Sequence, residues 1–137
     1  MENLKSELIL IASKLNELYI YSKILHWNSV GPNYYGDHLL YDRIGDDLHS
    51  FIDGLVETCI IPLQKQEEIN FDYTLIYSFN PNGVEVFPNK LLDALVVTIR
   101  SLDALSQQNI PDGIKTYLTD VSKALLVKAG LLDRRLK

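Results

Sequence analysis

The fold is decided by residues 26–57, which read HWNSVGPNYYGDHLLYDRIGDDLHSFIDGLVE. Within this stretch, Gly31 and Pro32 stop one helical pattern, and Asn33 is placed to cap the next helix. Apolar residues then recur at helical spacing until a proline ends the pattern, which predicts a second helix over residues 34–61. The stretch therefore predicts two helices joined by a short turn.

Helical patterns continue on both sides of this stretch. Residues 4–28 repeat leucine and isoleucine at three- and four-residue spacings, and residues 90–108 and 113–135 do the same. The connection over residues 62–90 is long enough to cross a bundle from one end to the other, as ferritin-like folds require. We therefore predict an all-α, ferritin-like antiparallel four-helix bundle with a long crossover between helices two and three, formed by residues 1–137 as one domain.

Composition limits the class of function. The chain has 137 residues, of which 47% are hydrophobic and 23% are charged, as in an ordinary globular domain. It has no apolar run of the ~20 residues that span a bilayer, and its start lacks the features of a signal peptide. With Cys59 as the only cysteine, no intrachain disulfide can form, so a cytoplasmic location is expected and no membrane partner. The net charge of −5 and the absence of a Lys/Arg-rich arm argue against nucleic-acid binding.

One face of the predicted second helix carries six potential metal ligands within about 100° on a helical projection. These residues are His38, Asp42, Asp46, His49, Asp53 and Glu57. The face has two interpretations, a solvated polar surface or a metal site. A solvated face normally mixes charges, because like charges four residues apart repel, yet this face contains no Lys or Arg. Since imidazoles and carboxylates together suit iron and similar divalent metals, we favour the metal site.

Spacing divides these ligands into two halves. His38 and Asp42 form a pair four residues apart, and so do Asp53 and Glu57, but the pairs are separated by 15 residues. That separation is about 22 Å along a helix, so one chain cannot bring the pairs together. An antiparallel, two-fold pairing of this helix with its copy creates two identical sites. His26, at the end of the first helix, is placed to add an imidazole to the first half.

A metal site within one chain is the alternative arrangement of these residues. An intrachain di-iron site needs Glu-x-x-His on two helices, and this chain contains no such motif. The third and fourth predicted helices contain no His and no Glu, so an intrachain di-iron site is not expected. His49 lies between the two ligand pairs and is either an interface histidine or an auxiliary ligand.

The same residues resemble a known family signature. His-Trp-Asn at 26–28, Gly-Pro-Asn at 31–33 and the ligand series resemble the signature of the Dps family, the mini-ferritins. In that family a His is followed by a second His twelve residues on, an Asp four on, an Asp eleven on and a Glu four on. Positions 26, 38, 42, 53 and 57 match this pattern without a gap. The resemblance covers about residues 6–60.

The resemblance implies a function in iron storage and protection against oxidative stress. Members of the family form a hollow shell of twelve subunits, oxidise Fe(II), usually with hydrogen peroxide, and store Fe(III) mineral. Carried over to this chain, His26, His38 and Asp42 of one subunit face Asp53 and Glu57 of another as the metal ligands and catalytic residues of a ferroxidase. We expect a di-iron or mono-iron site shared between two subunits, in which zinc can substitute. The expected partners are further copies of the chain, from a two-fold dimer to a dodecamer.

Two other functions stay open at this point. One is a structural assembly protein with the same fold, whose dimer interface is stapled by a metal such as zinc without turnover. The other is a DNA-compacting protein, which the acidic charge balance disfavours.

Overall fold

The computed structural model describes residues 2–64 and 72–137, and in these residues the regular structure is helical, without strands. The α-helices are α1 (Glu2–Asn28), α2 (Tyr34–Gly45), α3 (Leu48–Leu55), α4 (Pro88–Ser106) and α5 (Asp112–Arg135). A π-helical turn (Val56–Ile60) follows α3, and 3₁₀ turns lie at Ile61–Leu63 and Thr74–Tyr77. Among the helices described, none has the length and apolar character needed to cross a bilayer. Because α2 and α3 together take the place of one helix, the described residues form a four-helix bundle.

The first, third and fourth predicted helices are confirmed, with ends that differ from prediction by at most two residues. Their apolar faces form the core, as the periodicity predicts. The leucines with no exposed surface include Leu8, Leu15, Leu95, Leu102 and Leu118. Burying each such side chain contributes roughly 1.5–3 kcal/mol, so these faces supply much of the driving force for folding.

The predicted second helix, residues 34–61, is not continuous. After Gly45 the chain turns through an extended Asp46 and a left-handed Asp47, whose φ is +68°. Aspartate is one of the few residues that tolerate this conformation. Gly45 allows a close approach to α1, since a Cβ there would lie 2.7 Å from Ser22 Oγ. Regular α-helical geometry also ends at Leu55, so the predicted helix is wrong at both of these places.

A buried lysine stabilises the break between α2 and α3. The Lys128 ammonium of α5 donates to the Arg43 carbonyl at 2.8 Å and to the Asp46 carbonyl at 2.9 Å. Lys128 is only 6% exposed, and burial lowers its pKa, against the opposing charges of Asp47 and Asp46. The last carbonyl groups of a helix have no N–H donor within the helix. At the end of α2, the Lys128 ammonium supplies the missing hydrogen bonds.

α1 runs antiparallel to α2 and α3. The His26 ring, near the end of α1, stacks on the His38 ring at the start of α2. About two turns further back on α1, the Tyr19 ring meets the His49 ring in α3. The turn after α1 therefore reverses the chain, and residues 26 and 38 lie at the same end of the bundle.

α5 also runs antiparallel to α2 and α3. Near the start of α5, the Tyr117 hydroxyl bonds to the Phe51 carbonyl in α3. At the end of α5, the Arg135 guanidinium makes a two-point ion pair with the Asp37 carboxylate in α2. Helices α1 and α5 thus lie on either side of the segment that carries the predicted ligands.

The position of α4 shows where the long connection runs. Lys90, in the first turn of α4, places its ammonium 5.7 Å from the centre of the Tyr21 ring in the second half of α1. The α3 segment ends toward the opposite end of α1, because the two are antiparallel. Gln64 and Pro88 therefore lie toward opposite ends of the bundle, which is compatible with the predicted crossover. Part of this connection, residues 65–71, lies outside the described residues.

Candidate metal centre

Two histidines form the most organised part of the candidate site. His26 Nδ1 lies 2.6 Å from the carbonyl oxygen of His38, and His38 Nδ1 lies 2.9 Å from the carbonyl oxygen of His26. The two rings stack with centres 3.8 Å apart and planes 20° apart. Gly31, with φ of +93°, provides the reversal that brings the two backbone segments together.

In each ring, the carbonyl partner determines that Nδ1 carries a proton. A carbonyl oxygen only accepts hydrogen bonds, so each Nδ1 must carry the proton and donate it. In a neutral ring the lone pair is then on Nε2, the atom left to bind a metal. Metal-binding histidines characteristically donate their other N–H to a carbonyl or carboxylate, which orients the ring. In each neutral ring, Nε2 is therefore the nitrogen that could bind a metal.

Asp42 lies beside this pair. Its Oδ1 atom is 3.9 Å from His26 Nε2 and 3.1 Å from the Lys23 ammonium. The hydrogen bond from Lys23 lowers the pKa of the Asp42 carboxyl, and the charge of Lys23 and the two imidazoles act in the same direction. With 49% of its side chain exposed, Asp42 is an ionised carboxylate open to solvent.

The other predicted ligands lie further along the bundle. Asp53, in α3, and Glu57, in the π-helical turn, are exposed and lie near Tyr117 of α5. Neither carboxylate has a hydrogen bond or ion pair within the described residues, and neither reaches the histidine pair. Burial, followed by the charges of Cys59, Asp53 and Glu57, raises the pKa of Tyr117 to about 12. The structure thus brings His26, His38 and Asp42 together and leaves the second pair apart from them.

The described part of the chain contains no complete metal site. Across residues 2–64 and 72–137, no three His, Cys, Asp or Glu side chains are grouped closely enough to hold a metal ion. The chain presents instead two separate sets of donors. Their chemistry, imidazole nitrogen plus carboxylate oxygen, fits a divalent transition metal. The prediction that two chains combine to complete the site stays a prediction.

The remaining residues of the predicted ligand face have other positions. The His49 ring contacts the Tyr19 ring edge-on, with centres 3.7 Å apart, and joins neither donor set. Asp46 follows the end of α2. Its backbone N–H donates to the Asp42 carbonyl, and its own carbonyl accepts from the Lys128 ammonium. The break in the helix changes the angular relation between residues before Gly45 and those after Asp47. A single continuous face over residues 38–57 therefore does not exist.

An exposed apolar surface adjoins the histidine pair. Trp27, next to His26, is 70% exposed, although tryptophan normally buries most of its surface. Nearby, Ile20, Ile24 and Pro81 line a shallow hollow of 310 Å³ together with Trp27. Exposed apolar surface of this kind is typical of a contact with another protein.

Sequence reasoning missed three residues of this region. Lys23 lies three positions before His26, so helical spacing alone places the two on one face of α1, and this signal could have been found. Lys128 and Tyr117 act on the second helix from α5, more than 60 positions away. Their contacts have no local signature in the sequence.

Comparison with known proteins assigns no family. No protein-family model, no curated protein and no solved structure matches the chain. The resemblance to the Dps family therefore rests on the motif residues alone.

Proposed function

We propose that this chain is a Dps-like ferroxidase, which oxidises Fe(II) at sites completed between two copies of the chain. The supporting observation is the reciprocal bonding of His26 and His38, which leaves the Nε2 lone pairs of both rings for a metal. A solvated polar surface does not require two imidazoles to be fixed in one tautomer. The fold class and the crossover are compatible with a ferritin-like bundle.

The donor set suits the chemistry of iron oxidation. His26, His38 and Asp42 of one copy would bind Fe(II) together with Asp53 and Glu57 of the other copy. The carboxylates supply negative charge, which stabilises Fe(III) relative to Fe(II). One hydrogen peroxide molecule accepts one electron from each of two ferrous ions and, with two protons, leaves as water. The Lys23 ammonium holds one oxygen of the Asp42 carboxylate, so iron would bind the other oxygen or displace the ammonium.

The proposed assembly begins with a two-fold dimer. The exposed Trp27 and the neighbouring apolar hollow support a contact with a second copy beside the histidine pair. Repetition of such dimers in a twelve-subunit shell would enclose the ferric mineral. A mono-iron or di-iron centre is compatible with the number of donors, and zinc can occupy the same ligands.

Iron oxidation with peroxide, followed by the absorbance of the ferric product, tests this function. We expect the wild type to oxidise Fe(II) and the Asp53→Ala/Glu57→Ala variant to lose this activity. The matched control is Glu85→Ala/Asp93→Ala, which removes two exposed carboxylates of equal charge from elsewhere on the surface. Equal rates for the wild type and the Asp53/Glu57 variant would show that the site assignment is wrong.

Size-exclusion chromatography with light scattering on iron-loaded protein tests the assembly. A large oligomer that retains an iron core supports storage. A metal-dependent dimer that oxidises no iron would instead support the alternative function, a structural protein with a metal-stapled interface.

A further inference from the structure

The backbone between Asp53 and Glu57 departs from regular helix geometry. α3 ends at Leu55, and the next turn closes through a bond from the Ile61 N–H to the Val56 carbonyl, five residues back. Such π-helical turns are rare, occur mostly singly and are frequent at functional sites. Glu57 belongs to this wide turn, whereas Asp53 belongs to the regular helix before it. The relation between the two carboxylates therefore depends on how this segment is held.

Tyr117 of α5 holds the segment through its hydroxyl. The Tyr117 Oη–H donates to the Phe51 carbonyl at 2.9 Å. Gly54 makes this approach possible, since a Cβ at residue 54 would lie 2.8 Å from Tyr117 Cζ and even closer to Oη. A glycine inside a helix costs about 1 kcal/mol relative to alanine. Alanine would stabilise the helix more, but glycine at residue 54 leaves room for the Tyr117 hydroxyl.

The hydroxyl acts on the backbone and is not itself a metal ligand. Its only proton is donated to the Phe51 carbonyl. Burial, together with the nearby charges of Cys59, Asp53 and Glu57, raises the pKa of the Tyr117 hydroxyl to about 12. The two carboxylates therefore lie close enough to raise the pKa of Tyr117. Tyr117 itself contacts the backbone of the segment that carries them.

We propose that Tyr117 is a positioning residue, whose hydroxyl fits against Gly54 and fixes the turn that sets the Asp53 and Glu57 carboxylates as one half of a divalent metal site. This inference rests on the proposed function, because it assigns a role to Tyr117 in the same site. It names a residue on α5, outside the segment that carries all five predicted ligands.

Binding of Co(II) alone to the full chain tests the proposal, measured by titration calorimetry and by the visible spectrum of the bound ion. We expect Tyr117→Phe to weaken Co(II) binding by about tenfold and to change the spectrum, since outer partners of metal ligands typically contribute 10–100-fold in affinity. The matched control is Tyr21→Phe, which removes the hydroxyl of a buried tyrosine bonded to Glu17, away from the site. We expect that control to bind Co(II) as the wild type does.

The second variant, Gly54→Ala, tests the same contact from the other side. Its new methyl group displaces the hydroxyl, so we expect a similar loss of Co(II) affinity, and no additional loss when it is combined with Tyr117→Phe. Wild-type affinity and spectrum in both single variants would overturn the role of Tyr117 and leave the proposed function intact. Absence of Co(II) binding by the wild type would overturn the metal site as well.

Discussion

Two inactive variants of this protein should restore activity when they assemble together. One variant, His38→Ala/Asp42→Ala, lacks the donors next to His26. The other, Asp53→Ala/Glu57→Ala, lacks the carboxylates near Tyr117. Each variant alone should oxidise no iron, because every site between two identical copies then lacks one half. Mixed dimers should differ, since one of their two sites combines the intact halves of both chains.

The expected magnitude follows from the geometry. Fifteen residues separate His38 in α2 from Asp53 in α3, and across the described residues no three donors are grouped closely enough to hold a metal ion, whereas donors of one site lie about 2 Å from the metal. No single chain can therefore supply both halves. With random assembly, half of the dimers are mixed, and each mixed dimer has one intact site of two. The mixture should thus show about one quarter of the wild-type rate per subunit.

The assay is the initial rate of Fe(II) oxidation by peroxide, after coexpression of the two variants with different affinity tags. Coexpression of the second variant with a tagged copy of itself controls for expression and purification. Mixed oligomers that are as inactive as either variant alone, beside an active wild type, would refute a site divided between chains. A rate near that of the wild type would show that one donor set is dispensable.

Two further predictions concern the helices that hold the site. Lys128→Met keeps the apolar stem but removes the donor to two partly buried carbonyls, so we expect a loss of about 1–3 kcal/mol in urea unfolding. A loss under about 0.5 kcal/mol would contradict the role assigned to the ammonium. Burial and Glu17 raise the pKa of Tyr21 from 10.0 to about 12, so its contribution to stability is complete below pH 10 and is lost as the pH rises through 12. Tyr21→Phe should therefore lose less stability than the wild type between pH 9 and pH 11, and an identical loss would contradict the shift.

The helices that could be predicted are those determined by their own residues. In α1, α4 and α5, apolar residues recur at helical spacing and face the core, so local pattern and tertiary packing agree. The ends are correct within two residues, because proline, glycine and asparagine mark them. The long connection before α4 could also be predicted, since prolines and the Asn-Pro-Asn-Gly turn interrupt the helical pattern there.

The break in the second helix could not be predicted. Glycine and aspartate are acceptable inside a helix at modest cost, so residues 45–47 contain no decisive local signal. The break depends on the contact between Gly45 and Ser22, and on Lys128, which is 82 positions from Asp46. Projection of the ligands on one continuous helix was therefore misleading, although the separation into two distant halves does not depend on that projection.

The candidate site shows the same division between local and distant information. The spacing of His26, His38 and Asp42 is explicit in the sequence, and the structure places them together. The reciprocal bonds from each Nδ1 to a backbone carbonyl depend on the turn at Gly31 and could not be derived from spacing. Yet these bonds, rather than the proximity of the side chains, support the proposal that Nε2 of each ring binds a metal.

The two donor sets have a thermodynamic consequence if the site is shared. Backbone carbonyls hold the His26 and His38 rings within their own chain, and Tyr117 bonds to the backbone of the segment that carries Asp53 and Glu57. Little ordering remains to be done when two copies meet, so the metal's binding energy can stabilise the dimer. Linkage requires the two effects to be equal: the factor by which metal strengthens dimerisation is the factor by which dimerisation strengthens metal binding. A shared site of this kind would couple assembly of the protein to the supply of the metal ion.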